Sequence, residues 1–335
     1  MDSRKNAALT DLIHLYCMFF VFIFMYSPDC IFHASIKTGI VWSTNFAVLK
    51  DIFAEVPDMD PSLYCAIRFS IAGLVMLPSA FGHFGNFDLV LRSSYIGVAV
   101  MFGYVGQTMG MQSGSTASMS AFMCTLNVVW VAFLVGMYTR KWRVETWVAI
   151  LFAIAGVGFL ELAGTEPAKY SDLWLICQPI GFGSGYLLLE DVLKDYPDDA
   201  NAITSFKVLA ITVLSTLWTI IFDGNGFAEA AVVMQSPVAF NGILYTGLIT
   251  TAAAIWVQSI AFKKVSAKDV SMILTTEPIW AALFSMWLVG EKVSFADCFG
   301  MFLIIVGNGI NEMDFEEMGL IRKKEKIDTV EMTEA

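Results

Sequence analysis

Four polar side chains interrupt otherwise apolar stretches: Arg68, Asn127, Lys207 and Glu277. An ionisable group at bilayer depth is costly and normally faces protein or a water-filled cavity, so each is a candidate for contact with a solute. For Glu277 the chemistry would be binding a substrate amine or carrying a proton; the structural alternative is an ion pair with Arg68 or Lys207 that holds helices together. Arg68 and Lys207 together set two positive charges against the one of Glu277. An anionic or zwitterionic solute would neutralise the excess. Lys207, near the end of its apolar stretch, can instead snorkel to the interface on its long stem, and Arg68 can serve structure alone. Trp130 and Trp280 each follow a central polar residue by three positions, which places them on roughly the same helical face as Asn127 and Glu277. Both are therefore expected in a binding pocket. Trp42, Tyr104, Tyr186 and Trp256 could stack on a planar or cationic solute there, or act as packing and interfacial anchors.

The elements that must position these groups are long apolar runs at about 34–54, 60–80, 93–112, 115–137, 145–163, 172–190, 200–222, 238–262, 266–289 and 294–312. A bilayer-spanning helix needs about 20 mostly apolar residues, so ten would use roughly 200. The chain has 335 residues, 57% hydrophobic and 15% charged, against about 25% charged in soluble domains. A water-soluble enzyme is excluded, and no large soluble domain fits between the runs. The formal charge of −11 carries no basic face for nucleic acid. Six cysteines lie singly, without CxxC spacing, so neither a disulfide framework nor a metal site is expected. No cofactor motif is present. Gly181, Gly183 and Gly185 lack the preceding strand and spacing of a phosphate loop.

Residues 1–33 form a hydrophobic leader, LIHLYCMFFVFIFMY behind Arg4 and Lys5, open to reading as a signal, an anchor or an extra helix. Residues 313–335 mix both charge signs too densely to enter lipid and read as a cytosolic tail. If the first span runs outward, thirteen Lys and Arg near span ends fall on the cytoplasmic side, against Lys50, Lys169 and Lys292 outside. That asymmetry favours the orientation. Gly106, Gly110 and Gly114 form consecutive GxxxG steps that would let helix backbones approach. Gln178-Pro179 could unwind the sixth span, and Pro278 removes one backbone hydrogen bond beside Glu277.

An offset of 150 lays Thr125-Leu-Asn127-Val-Val-Trp130 on Thr275-Thr-Glu277-Pro-Ile-Trp280, and one further residue lays Gly156 and Gly158 on Gly307 and Gly309. Both segments fall in the fourth span of a five-span unit. Five is odd, so the second unit enters from the opposite side, an inverted repeat of the kind secondary transporters use around a midplane site. The repeat pairs Arg68 with Lys207 and Asn127 with Glu277, and a pseudo-twofold axis would turn all four toward one cavity.

At these positions the chain resembles the drug/metabolite transporter superfamily, in its EamA-like branch. Ala267, Ser271, Glu277-Pro278-Ile-Trp-Ala-Ala, Gly290-Glu291, Gly300, Gly307 and Gly309 carry the resemblance in the second half, and Val41-Trp42-Ser43-Thr44-Asn45-Phe46, Ala66-Ile-Arg68-Phe69 and Ser115-Thr-Ala117-Ser118 in the first. Two positions depart from the family: Ser43 stands where a glycine often follows the tryptophan, and Asn127-Val128 stands opposite the Glu-Pro pair. The resemblance implies an all-α integral membrane protein with ten transmembrane helices in two inverted five-helix repeats, 34–163 and 172–312, around a central cavity, with no cofactor. The expected function is secondary transport of a small metabolite by alternating access. A channel or receptor would leave the duplication unexplained, and an intramembrane enzyme would need a nucleophile or metal set that the sequence lacks. The partners expected are the substrate and the lipid bilayer, in the plasma membrane or an organellar one, with a homodimer among the assemblies open to the chain.

Overall fold

The computed structural model describes residues 31–163, 169–222, 229–263 and 277–313. The leader, most of the tail and the first half of the ninth apolar run, with Ala267 and Ser271, lie outside the described residues. Among the described residues there is helix and no strand. We number the helices α1 (Ile31–Glu55), α2 (Pro61–Met76), α3 (Phe87–Gln112), α4 (Ala117–Thr125), α5 (Asn127–Thr139), α6 (Val144–Ala163) and α7 (Cys177–Asp195) in the first part of the chain. Then follow α8 (Ala200–Phe222), α9 (Ala230–Gln235), α10 (Pro237–Tyr245), α11 (Ala254–Phe262), α12 (Glu277–Leu288) and α13 (Phe295–Glu312). Among the described residues, five stretches are long and apolar enough to cross a membrane: Pro61–Ala80, Phe87–Gln112, Ala117–Thr139, Ala200–Phe222 and Pro237–Phe262.

Local chemistry sets the helix ends. The Asp60 carboxylate accepts from the Ser62 amide at 2.7 Å with Pro61 at the first helical position, and Asn86 and Thr116 cap α3 and α4 in the same way. Ser294 and Asp297 cap α13 reciprocally. Among the described residues several apolar runs are less regular than continuous helices, and the second closes in 3₁₀ turns over Leu77–Ala80. The fourth breaks at Leu126, where the Thr125 carbonyl accepts from Asn308 Nδ2 at 3.4 Å. The eighth widens into π-helical turns over Thr246–Ala253 between α10 and α11. The sixth opens with 3₁₀ turns over Tyr170–Ile176. Pro179 consequently sits in the first turn of α7, where a missing amide is tolerated, so Gln178-Pro179 starts a helix and does not unwind one.

Glycines govern the closest approaches. A Cβ on Gly181 would lie 2.3 Å from the Gly103 amide nitrogen, so α3 and α7 touch backbone to backbone. On the same seam a Cβ on Gly106 would meet the Trp174 carbonyl at 2.3 Å, and one on Gly110 the Leu175 side chain at 2.5 Å. Gly114 does not extend that row. It has φ +114° and open space around it, so it is a turn glycine between α3 and α4. The helices α6 and α13 pack together through Gly156, whose Cβ would meet Ile304 at 2.6 Å, and Gly307, whose Cβ would meet Phe152 at 2.7 Å. The perimeter is apolar, with Leu74, Phe102, Leu151, Ile221 and Phe302 exposed, whereas Arg68, Gln107, Gln178, Lys207 and Glu277 are buried. An apolar perimeter around buried charged groups departs from a soluble protein's surface and suits a lipid solvent.

Candidate functional site

A central cavity is bounded by α1, α2, α3, α4, α7, α8, α11 and the start of α12. Arg68, Lys207 and Glu277 all line it. They are 1%, 3% and 3% exposed.

Arg68 is the most elaborately held. Its Nε donates to Thr251 Oγ1 at 2.7 Å, Nη1 to the Tyr64 hydroxyl at 3.1 Å and Nη2 to Thr250 Oγ1 at 3.3 Å. The guanidinium carbon lies 5.1 Å from the ring centre of Tyr104 and 5.3 Å from that of Phe69, within cation–π range. The π-helical segment makes this geometry available. Thr251 donates to the carbonyl of Thr246, five residues back, at 2.7 Å, and the Thr250 carbonyl accepts Trp42 Nε1 at 2.9 Å. A Cβ on Gly247 would come within 3.0 Å of the Arg68 carbonyl, so a glycine is what allows α2 this close. Such widened turns recur at functional sites because they re-aim side chains.

Lys207 is positioned by contact of α8 with α3, since a Cβ on Gly97 would lie 2.6 Å from the Lys207 carbonyl. Glu277 is fixed through its backbone: Ser43 Oγ donates to the Glu277 carbonyl at 2.9 Å and to Gly39 O at 2.8 Å. Ser43, the departure from the family's usual glycine, therefore ties α1 to α12. Among the described residues no salt bridge joins Glu277 to Arg68 or Lys207. The cavity wall thus carries Arg68, Lys207 and Glu277 with no ion pair among them, together with Asn45, Gln107 and Gln258.

Asn127, Trp130 and Trp280 do not line this cavity. The helix restarts at Asn127 after the break at Leu126, and the face shared by Asn127 and Trp130 turns toward α7. A Cβ on Gly183 there would meet Trp130 Cδ1 at 2.9 Å and the Asn127 carbonyl at 3.2 Å. Trp130 Nε1 donates to Ser184 Oγ at 3.0 Å, and the Asn127 side-chain oxygen is buried without a hydrogen bond. Trp280 is 36% exposed, on the outward side of α12. Trp256 donates to Asn201 Oδ1 at 2.9 Å, away from the cavity, whereas Trp42, Tyr104 and Tyr186 form part of its wall. Thr250, Thr251, Tyr64, Gln107 and Gln258 escaped the sequence reading. The glutamines had the same signal as the charged residues, a polar side chain inside an apolar run, but the threonines and Tyr64 are ordinary in such runs. No group of three or more His, Cys, Asp or Glu able to hold a metal occurs among the described residues.

Comparison with known proteins agrees with this architecture. The model of the EamA-like transporter family matches residues 34–162 and 169–310. The chain is 24% identical over 268 residues to an uncharacterized transporter of Archaeoglobus fulgidus, covering 80% of this chain and 81% of that protein. It is 20% identical over 289 residues to the uncharacterized transporter YoaV of Bacillus subtilis, covering 84% and 96% respectively. A protein known from a crystal structure superposes with a TM-score of 0.60 at 14% identity over 85% of this chain and 98% of that one, a likeness of fold alone. With two copies of the family domain spanning nearly all of its helical length, the chain belongs to the EamA-like transporter family and is a multi-pass membrane transporter of small molecules.

Proposed function

We propose that the chain is a ten-span secondary transporter, built as two inverted five-helix repeats, that moves a small organic anion or zwitterion through the central cavity by alternating access. One observation carries this reading: Arg68, Lys207 and Glu277 share the cavity wall without ion-pairing. Had Glu277 been a structural counter-ion, it would be bonded to one of the cations, because an uncompensated buried charge costs several kcal/mol, on the order of 3–5 when a partner is removed. The groups instead stand separately around a space, two basic and one acidic. A solute with a carboxylate or phosphate facing Arg68 and Lys207 balances them, and an amine on the same solute would meet Glu277. Asn127 lies one helix layer behind the wall and would act on the substrate only through a rearranged state, as would Trp130 and Trp280. In the orientation favoured by the Lys/Arg asymmetry, the 313–335 tail faces the cytosol.

The reading is tested by uptake and efflux in proteoliposomes against amino acids, organic acids, sugar phosphates and nucleotide sugars. The expected outcome is saturable transport of a solute with at least one anionic group. Selective movement of uncharged or purely cationic solutes would overturn it.

A further inference from the structure

A second groove lies between α5, α6 and α13, with no lining residue in common with the central cavity. Its floor is Val128, Val131, Ala132, Val135 and Gly136 of α5. These are spaced as one helical stripe, which at 1.5 Å per residue follows the helix axis for about 12 Å. At one end the Trp142 ring packs so close that a Cβ on Gly136 would lie 2.9 Å from it. On the far wall Thr146 Oγ1 donates to Asn311 Oδ1 at 3.0 Å.

The same end is basic. Lys141 and Arg143 line the mouth, and Arg140 precedes them in a left-handed conformation, φ +53°, at a helix end where glycine is usual. Arg143 donates to the Met313 carbonyl at 2.5 Å and lies 3.5 Å from a Glu145 carboxylate oxygen. The Lys141 ammonium has no hydrogen bond or ion pair among the described residues. Trp142 is 5.5 Å from Phe133 and 5.6 Å from Trp147, ring centre to ring centre, which makes an aromatic row of the kind that sits at headgroup level. Around the groove Val135, Trp142, Trp147 and Leu151 are exposed on the perimeter that meets lipid.

An apolar slot along a helix, closed by cations and aromatic rings at one end only, has the polarity of a single phospholipid. A soluble anion would engage the mouth and leave the stripe bare. We propose that this groove binds one phospholipid with an anionic headgroup, its acyl chain along the 128–136 stripe and its phosphate at Lys141 and Arg143. In the orientation proposed above, the mouth lies in the cytoplasmic leaflet, where anionic lipids concentrate.

The test is native mass spectrometry of the full-length, delipidated protein in detergent, titrated with palmitoyl-oleoyl phosphatidylglycerol or with phosphatidylcholine bearing the same chains. Phosphatidylglycerol is expected to bind at least tenfold more tightly. Lys141→Glu should abolish that preference, and Ala132→Trp, which fills the floor, should weaken binding at least tenfold; Val135→Gln, at an exposed position, serves if Ala132→Trp does not fold. Transport by the Lys141→Glu variant separates this site from the cavity, since substrate KM should not move. Equal retention of the two lipids, or an unchanged preference in Lys141→Glu, overturns the proposal. So does competition by glycerol phosphate alone, which would make the mouth a simple anion site. Binding that emerges only after removal of residues 314–335 also overturns it, by assigning the groove to the chain's own tail.

Discussion

Arg68 keeps its position because each of its three guanidinium nitrogens has a partner that is not a carboxylate. Thr250, Thr251 and Tyr64 take its hydrogen bonds, and Tyr104 and Phe69 face its charge. The charge itself stays available to a solute. A hydrogen bond to a charged group contributes about 1.5–3 kcal/mol, and 1.4 kcal/mol corresponds to a factor of ten. Thr251→Val should therefore weaken substrate affinity roughly tenfold or more while the protein still folds, measured as KM in proteoliposomes. Arg68→Met and Glu277→Gln should each reduce transport below detection at normal expression levels. A double variant Arg68→Met/Glu277→Met that is folded and fully active would make the pair structural. The charged residues declare themselves in the sequence because hydropathy makes them anomalous. The threonines do not, since a hydroxyl in a membrane helix usually bonds to its own backbone and carries no sign of a remote partner.

At the scale of elements, the helices follow from apolar run length, but their irregularities follow from contacts. A glycine with a neighbouring backbone where its Cβ would be cannot be replaced cheaply, whereas a glycine facing open space can. Gly181→Ala, 2.3 Å from the Gly103 amide nitrogen, should destabilise the protein by about 1–3 kcal/mol. Gly309→Ala, exposed and with nothing within 4 Å, should be neutral or stabilising by up to about 1 kcal/mol, the helix-propensity difference. Thermal unfolding in detergent reads both. A second element-level contact joins distant parts of the chain: the Glu291 carboxylate accepts from the Ala117 and Ser118 amides at 2.8 and 3.2 Å, capping α4 from the loop before α13. Glu291→Ala should cost about 1 kcal/mol as a lost cap. Spacing alone treats Gly114 like Gly106 and Gly110, because GxxxG counts residues and not dihedral angles.

For the whole molecule, two expectations concern sidedness and coupling. Single cysteines in the 313–335 tail and in the 223–236 loop, placed in a cysteine-free background, should react with impermeant reagent from opposite faces. Reaction from the same face would contradict the proposed ten-span arrangement. Glu277 is the carboxylate on the cavity wall among the described residues, so it is the natural carrier if transport is linked to protons. A two-state cavity would expose it to each side in turn. A pH gradient across proteoliposomes should then drive accumulation in the wild type and lose that effect in Glu277→Gln. Accumulation that survives the substitution would remove Glu277 from that role, and a wild type indifferent to the gradient would leave facilitated diffusion or exchange.

Composition and residue spacing alone establish that this chain is helical, lies in a membrane, is duplicated and carries rare charges in its interior, because each is a one-dimensional property: the length of an apolar run, a count of charges, a repeat offset. Which charges meet is not one-dimensional. Arg68, Lys207 and Glu277 come together across 209 positions, whereas Trp130 and Trp280, chosen by helical phase, turn away. Phase tells which residues share a face but not what that face is packed against. The break at Leu126, the π-helical turns at Thr246–Ala253 and the glycine contact of α3 with α7 bear on that, because each is a matter of how helices pack and not of residue spacing along one of them.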